Sequence, residues 1–163
     1  MSMTREEREQ LIAAYADGPR RLRFALEAVP AEARQWRPAP GQWSVHEIVC
    51  HCADSEANAH GRLRYLLCEA QPTVIGYDQD AWARGLDYHA HPLEPALATV
   101  DAVRANTVAL LRRLPEEAWS RSGTHTERGA YGVETWQRDY GAHLEGHARQ
   151  VARTHAARKA RRA

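Results

Sequence analysis

Lysine is nearly missing from this chain of 163 residues: of its 22 basic side chains only Lys159 is a lysine, and it stands near the C-terminus. Schiff-base chemistry and a phosphate-binding P-loop each need a lysine inside a structured site, so both are nearly ruled out. Cysteine is scarce as well. Cys50, Cys52 and Cys68 cannot all pair, and a chain of this length buries enough surface to fold without a disulfide framework or a structural metal. No segment approaches the ~20 uninterrupted apolar residues of a membrane span. The N-terminal MSMTREEREQ is charged where a secretion signal needs an apolar core. These absences predict a single domain over 1–163, cytoplasmic and without a membrane partner.

A basic face on the folded part of the chain is also missing. Arg149, Arg153, Arg158, Lys159, Arg161 and Arg162 crowd the C-terminal end without an acid among them, which leaves 16 of the 22 basic groups against all 21 acids, a formal charge of −5. A nucleic-acid binder shows the opposite distribution, so no nucleic-acid partner is expected. The basic tail, about 156–163, reads as the end of a helix, where arginines favour the negative pole of the backbone dipole.

Prolines divide what is there, because a proline within a helix removes a hydrogen bond and crowds the preceding turn. The intervals between them carry helical spacing. Leu22, Leu26 and Val29 form one apolar face; Leu97, Val100, Val103, Leu110 and Leu114 form a second; Trp136, Tyr140, His143, His147 and Val151 form a third. Thr4 with Glu7 and Ser44 with Glu47 are S/T-x-x-E capping boxes that mark helix starts. Four helices are predicted, over about 4–29 with an interruption at Gly18-Pro19, 44–70, 94–114 and 132–157. Strand-like alternation is absent, so the fold class is all-α, with long connections over 71–93 and 115–131 that cross a bundle end or contribute to a site.

Histidine is the residue in surplus, with nine in the chain. His143 and His147 lie one turn apart on the apolar face of the last helix, a chelating spacing aimed into the bundle, although core histidines satisfied by hydrogen bonds would share the pattern. His51, beside the apolar stripe of the second helix, can face them. Helical phase turns His46 and His60 elsewhere, to solvated positions; His89, His91 and His125 fall in connections, and His125 is a candidate acid or base. Cys50 and Cys52 diverge from His51 around the helix and read, with Cys68, as small buried apolar residues. Asp54, three residues after His51, and Asp139, four before His143, are candidates to accept an imidazole N–H and fix its tautomer. Tyr77, Asp78, Asp80 and Trp82 are candidates to cover the open end of the site.

Three separated segments then coincide with a known family. Trp43-Ser44-Val45 leading to His51-Cys52-Ala53-Asp54-Ser55, the loop Tyr77-Asp78-Gln79-Asp80-Ala81-Trp82, and His143-x-x-x-His147 resemble the DinB/YfiT superfamily of metal-dependent enzymes, most closely its YfiT-like branch, over roughly 5–155. The resemblance implies a four-helix bundle with up-down-down-up connections and a divalent metal, zinc or nickel, held by His51, His143 and His147. Three imidazoles leave a coordination position open for water or substrate, as catalytic rather than structural sites do. A metal-dependent hydrolase acting on a small molecule is the leading expectation. An S-transferase using a low-molecular-weight thiol such as bacillithiol or mycothiol is the enzymatic alternative, and a non-catalytic metal-binding stress protein the third. The family also implies a homodimer. Cys52 departs from the aliphatic residue usual at its position and leaves all three ligand positions filled.

Overall fold

A computed structural model describes residues 3–161. The long helices are α1 (Arg5–Glu27), α2 (Val45–Cys68), α4 (Leu93–Leu111) and a broken fourth made of α5 (Val133–Gly141) and α6 (His143–Ala160). A short α3 (Gln79–Gly85) lies in the first long connection. Both predicted capping boxes form: Thr4 and Ser44 each accept from the backbone N–H of the glutamate three residues on, which reaches back to the cap.

Pairings along the helices define their directions. Tyr15 and Arg23 of α1 meet Arg104 and Asp101 of α4, so these two run antiparallel. Gly18 and Arg21 meet Leu144 and Glu145, which makes α1 and α6 parallel. Glu56 and His60 of α2 meet Arg104 and Thr107, a parallel pair, while Ser55 faces His143 and His51 faces His147 in the antiparallel pair of α2 and α6. The result is the four-helix bundle with up-down-down-up connections. One apolar core lies around Leu26, Ile48, Val49 and Val151, a second around Tyr15, Leu63, Tyr131 and Trp136, and the metal-type histidines sit beside both. No helix of the described residues is long and apolar enough to cross a membrane.

Four features differ from the sequence reading. First, α1 runs unbroken through Gly18-Pro19. Pro19 crowds the carbonyl of Tyr15, one turn back, and denies it a helical N–H. Arg104 Nη1 donates to that carbonyl at 2.6 Å in its place, so the buried guanidinium mends the interruption. Gly18 makes the room: a Cβ there would stand 2.6 Å from Arg104 Nη1. Second, the fourth helix breaks at Ala142, where φ is −103° and ψ 2°. Arg104 Nη2 donates to Tyr140 O at 3.2 Å, drawing that carbonyl out of the helical ladder, a recognised cause of kinks. Third, the two long connections meet in a small sheet. β1 (Thr73–Val74) pairs parallel with β2 (Ser122–His125), which pairs antiparallel with β3 (Gly129–Gly132) through the register Thr124 with Ala130. Strands of two to four residues containing Gly123, Gly129 and Gly132 carry no alternation to read. At Gly123 only the absence of a Cβ lets β2 approach the Pro72 carbonyl. Fourth, the buried face of α4 is Leu97, Val100, Arg104, Thr107, Val108 and Leu111, turned slightly from the stripe expected; Val103, Leu110 and Leu114 are half-buried. The basic tail forms the end of α6 as far as Ala160, and Arg162 and Ala163 lie outside the described residues.

At the start of α2, burial pushes the Glu47 carboxyl up, but Arg37 and the Ser44 cap outweigh it and hold it at about 2. With a folded value below the ordinary carboxylate range, its contribution is complete at neutral pH and is lost as pH falls from about 4.5 toward 2. Acid titration of the fold should therefore lose part of its pH dependence in that window on Glu47→Gln; identical acid-unfolding curves for the two proteins would refute the pairing. Gly18→Ala sets helix propensity, which favours alanine by roughly 0.5–1 kcal/mol, against a collision with Arg104 that costs about 1–3 kcal/mol. The collision should win, and the urea midpoint should fall; a raised midpoint would mean that Arg104 does not fill the notch.

Candidate metal centre

His51 is presented two turns into α2 and is almost fully buried; His143 opens α6 and His147 follows one turn later, both half-buried. The helix break at Ala142 is what puts His143 in the first turn of a new helix rather than in the middle of an old one. Each imidazole offers one nitrogen to a common point, the three lying within 4.8 Å of one another. The rings meet edge to face, with centroids 4.9 Å apart for His51 and His147 and 4.5 Å for His143 and His147. Among the described residues this is the one group of three or more His, Cys, Asp or Glu side chains that converges in this way.

The hydrogen bonds around the rings orient their lone pairs. His147 Nδ1 lies 2.9 Å from Gln150 Oε1, which can only accept, so the proton is on Nδ1 and the lone pair on Nε2. His143 Nδ1 faces Glu56 Oε1 at 3.7 Å, which favours the same tautomer. Its Nε2 stands 3.1 Å from His147 Nε2. Two imidazole lone pairs directed at each other over that distance repel unless a cation lies between them, so the donor set fits a divalent metal. Burial pushes His51 down to about 2, with His147 and His143 adding to the effect, and burial and His143 push His147 down to about 4. Both are therefore neutral at pH 7, the form that binds a metal. The Nδ1 atoms of His51 and His143 are buried without a hydrogen-bond partner, Glu56 facing the second from 3.7 Å.

Neither aspartate takes the place expected for it. The Asp54 carboxylate accepts from Tyr88 Oη at 2.5 Å, and Asp139 is held by Arg128 at 2.5 Å and Tyr131 at 2.9 Å. Helical spacing brought them near the histidines in sequence, but tyrosines and an arginine from other elements claim them. The partners the structure supplies are Gln150 and Glu56, which the spacing of aspartates did not suggest. Glu56 is fully buried, accepting from Tyr15 Oη at 2.9 Å and from Arg104 Nη2 at 2.6 Å. Burial raises its carboxyl, and His143 and Arg104 more than offset this, so it remains an anion under the site. A fully buried arginine on the apolar face of α4 was the available signal, since such a charge requires a partner.

The surroundings differ on the two sides. Trp43 packs on His51 at 4.7 Å and donates its indole N–H to Asp80, while Asp78 caps α3, so this part of the 71–93 connection covers one flank. Trp82 packs on Tyr77 rather than on the imidazoles. On the other flank a cavity of about 230 Å³ opens onto His143, walled by Ser55, Arg62, Tyr77, His125 and Tyr140. His125 is buried on β2, with Nδ1 accepting from the Glu127 N–H. A larger apolar cleft of about 630 Å³ between α1 and α6 is lined by none of the three imidazoles. His46 is buried, not solvated, with Nε2 against the His91 carbonyl, and His60 is half-buried beside Thr107. Cys50 and Cys52 are buried as expected, whereas Cys68 is exposed at the end of α2.

With this geometry in view, similarity to known proteins is specific. Relatives bearing the name "Putative metal-dependent hydrolase" include one from Oceanobacillus iheyensis, 31% identical over 117 residues that cover 72% of this chain and 67% of the relative. Another is YfiT from Bacillus subtilis, 27% identical over 142 residues, 83% of this chain and 80% of YfiT. The solved structure of YfiT, described as an unusual four-helix bundle, superposes with a TM-score of 0.87 over 94% of this chain and 88% of that one, at 25% identity. The model of the DinB superfamily matches residues 14–151, and the chain belongs to that superfamily.

Proposed function

We propose that this protein is a metal-dependent hydrolase of small molecules, with a divalent ion, zinc or nickel, held by His51, His143 and His147. The observation that carries the reading is the convergence of three buried or half-buried imidazole nitrogens, two of them 3.1 Å apart, one of whose rings, His143, lines a cavity. A divalent ion bound by three neutral imidazoles keeps a position open and supplies Lewis acidity, which polarises a carbonyl and acidifies water. The chain's own groups do the rest. Gln150 holds the Nδ1 proton of His147, which keeps its Nε2 basic and correctly turned, and the Glu56 carboxylate faces Nδ1 of His143 at 3.7 Å. Trp43 shields His51 from solvent, so access is from the cavity side. Ser55 Oγ, 3.5 Å from His143 Nε2, and the Tyr140 hydroxyl face the same space and are placed to orient a substrate oxygen.

Purified protein should retain close to one equivalent of zinc or nickel by elemental analysis, and His147→Ala should lose it; full retention by the variant would sink the assignment. Gln150→Ala removes only the acceptor on His147 Nδ1. It should weaken metal affinity about 10-fold or more while leaving the thermal unfolding of metal-free protein unchanged, as measured by competition with a chromophoric chelator. Electrophile consumption that depends on an added low-molecular-weight thiol would replace the hydrolase reading by the S-transferase one.

A further inference from the structure

The cavity beside His143 carries two charges of opposite sign, neither of which has an ion-pair partner among the described residues. Arg62 has no acidic partner: Nη1 donates to the Tyr140 hydroxyl at 3.0 Å, Nη2 to the Ile75 carbonyl, and Nε is buried without a partner. The Tyr77 hydroxyl, next to it on the cavity wall, is likewise buried, beside Ser55, with the guanidinium 5.8 Å from its ring. The unmatched anion is Glu127. Its carboxylate rests on Gly76, where any Cβ would collide with it, and it forms no ion pair or side-chain hydrogen bond among the described residues. The remaining charged pair of the cavity, Arg128 with Asp139, is satisfied internally. Arg62 and Glu127 thus flank the same Ile75–Gly76 stretch without joining in an ion pair.

An isolated cation would call for an anionic ligand, and an isolated carboxylate for a cationic one. One unmatched group of each sign on the wall of a single cavity of about 230 Å³ calls for a small molecule that carries both. Resting on the hydrolase reading for the role of the neighbouring imidazoles, we propose that the substrate is a small zwitterion of the amino-acid class. Its carboxylate is received by the Arg62 guanidinium, and its ammonium group by Glu127. Ordinary drug-sized ligands fill pockets of roughly 300–1,000 Å³, so a cavity of about 230 Å³ suits a smaller molecule. The remainder of the molecule extends past Ser55 and Tyr140 toward His143.

The test is an NMR titration of metal-free protein with glycine, β-alanine and 4-aminobutyrate, against propionate and propylammonium as singly charged probes. The best zwitterion should bind about ten-fold more tightly than either singly charged probe, the effect of one charge-assisted contact, with amide shifts concentrated at Gly76, Tyr77 and Glu127. Glu127→Gln, an exposed substitution that spares the fold, should reduce the best zwitterion to the level of propionate. Arg62→Gln should reduce it to the level of propylammonium; if that variant fails to fold, Glu127→Gln alone decides. Propionate binding as tightly as every zwitterion, a preference unchanged by Glu127→Gln, or no shift from any probe would overturn the proposal. Because the titration needs no metal, zwitterion binding in a protein that retains no metal refutes only the metal centre, and metal retention without zwitterion binding refutes only the cavity assignment.

Discussion

The buried Arg104 guanidinium is the constraint on which the rest of the molecule depends. Taking a guanidinium out of water costs several kcal/mol, and Arg104 is almost inaccessible. It is tolerated because three elements supply acceptors: the Tyr15 carbonyl of α1, the Glu56 carboxylate of α2 and the Tyr140 carbonyl of α5. The face of the Tyr15 ring, 3.8 Å from Cζ, completes the cage. Arg104 itself belongs to α4, so one side chain ties all four columns of the bundle together. It also fixes the site indirectly, since Glu56 underlies His143 and the carbonyl taken from Tyr140 ends α5 just before that histidine.

Much of this was legible residue by residue. Capping boxes gave the starts of α1 and α2 because the hydroxyl, the carboxylate and the backbone donors they satisfy are all local. His143 and His147 could be paired because one helical turn is a fixed geometry, and His51 could be matched to them because its phase relative to the apolar stripe is fixed too. What could not be read depends on groups distant in the chain. Pro19 predicts a broken helix unless the arginine 85 positions later in the sequence is known to fill the gap. Asp54 and Asp139 have the right spacing, and nothing local reveals that Tyr88 and Arg128 reach them first. The sheet escaped because its strands are too short and glycine-rich for periodicity to exist.

The electrostatic layout is graded across the bundle. Beneath the histidines lies a permanent anion, Glu56, neutralised on its far side by Arg104. At the level of the rings, burial keeps His51 and His147 uncharged and available as donors. Beyond them the cavity brings in mixed charge, from Arg62 and Glu127. The three converging groups are imidazoles alone, so the candidate site offers no carboxylate as a direct ligand, and the Glu56 carboxylate lies beneath them. With this separation a protein with an acidic body presents a candidate metal site made only of imidazole nitrogens.

The notch made by Gly18 and Pro19 has a historical consequence. Proline at 19 needs a donor for Tyr15, the donor needs an anion, and the guanidinium needs a residue without a Cβ at 18. Taken singly, a change at 18, 56 or 104 strands a buried group, whereas an apolar set introduced together strands none. These positions should therefore pass between lineages as a block, and an engineer who wishes to simplify the bundle must exchange the block whole.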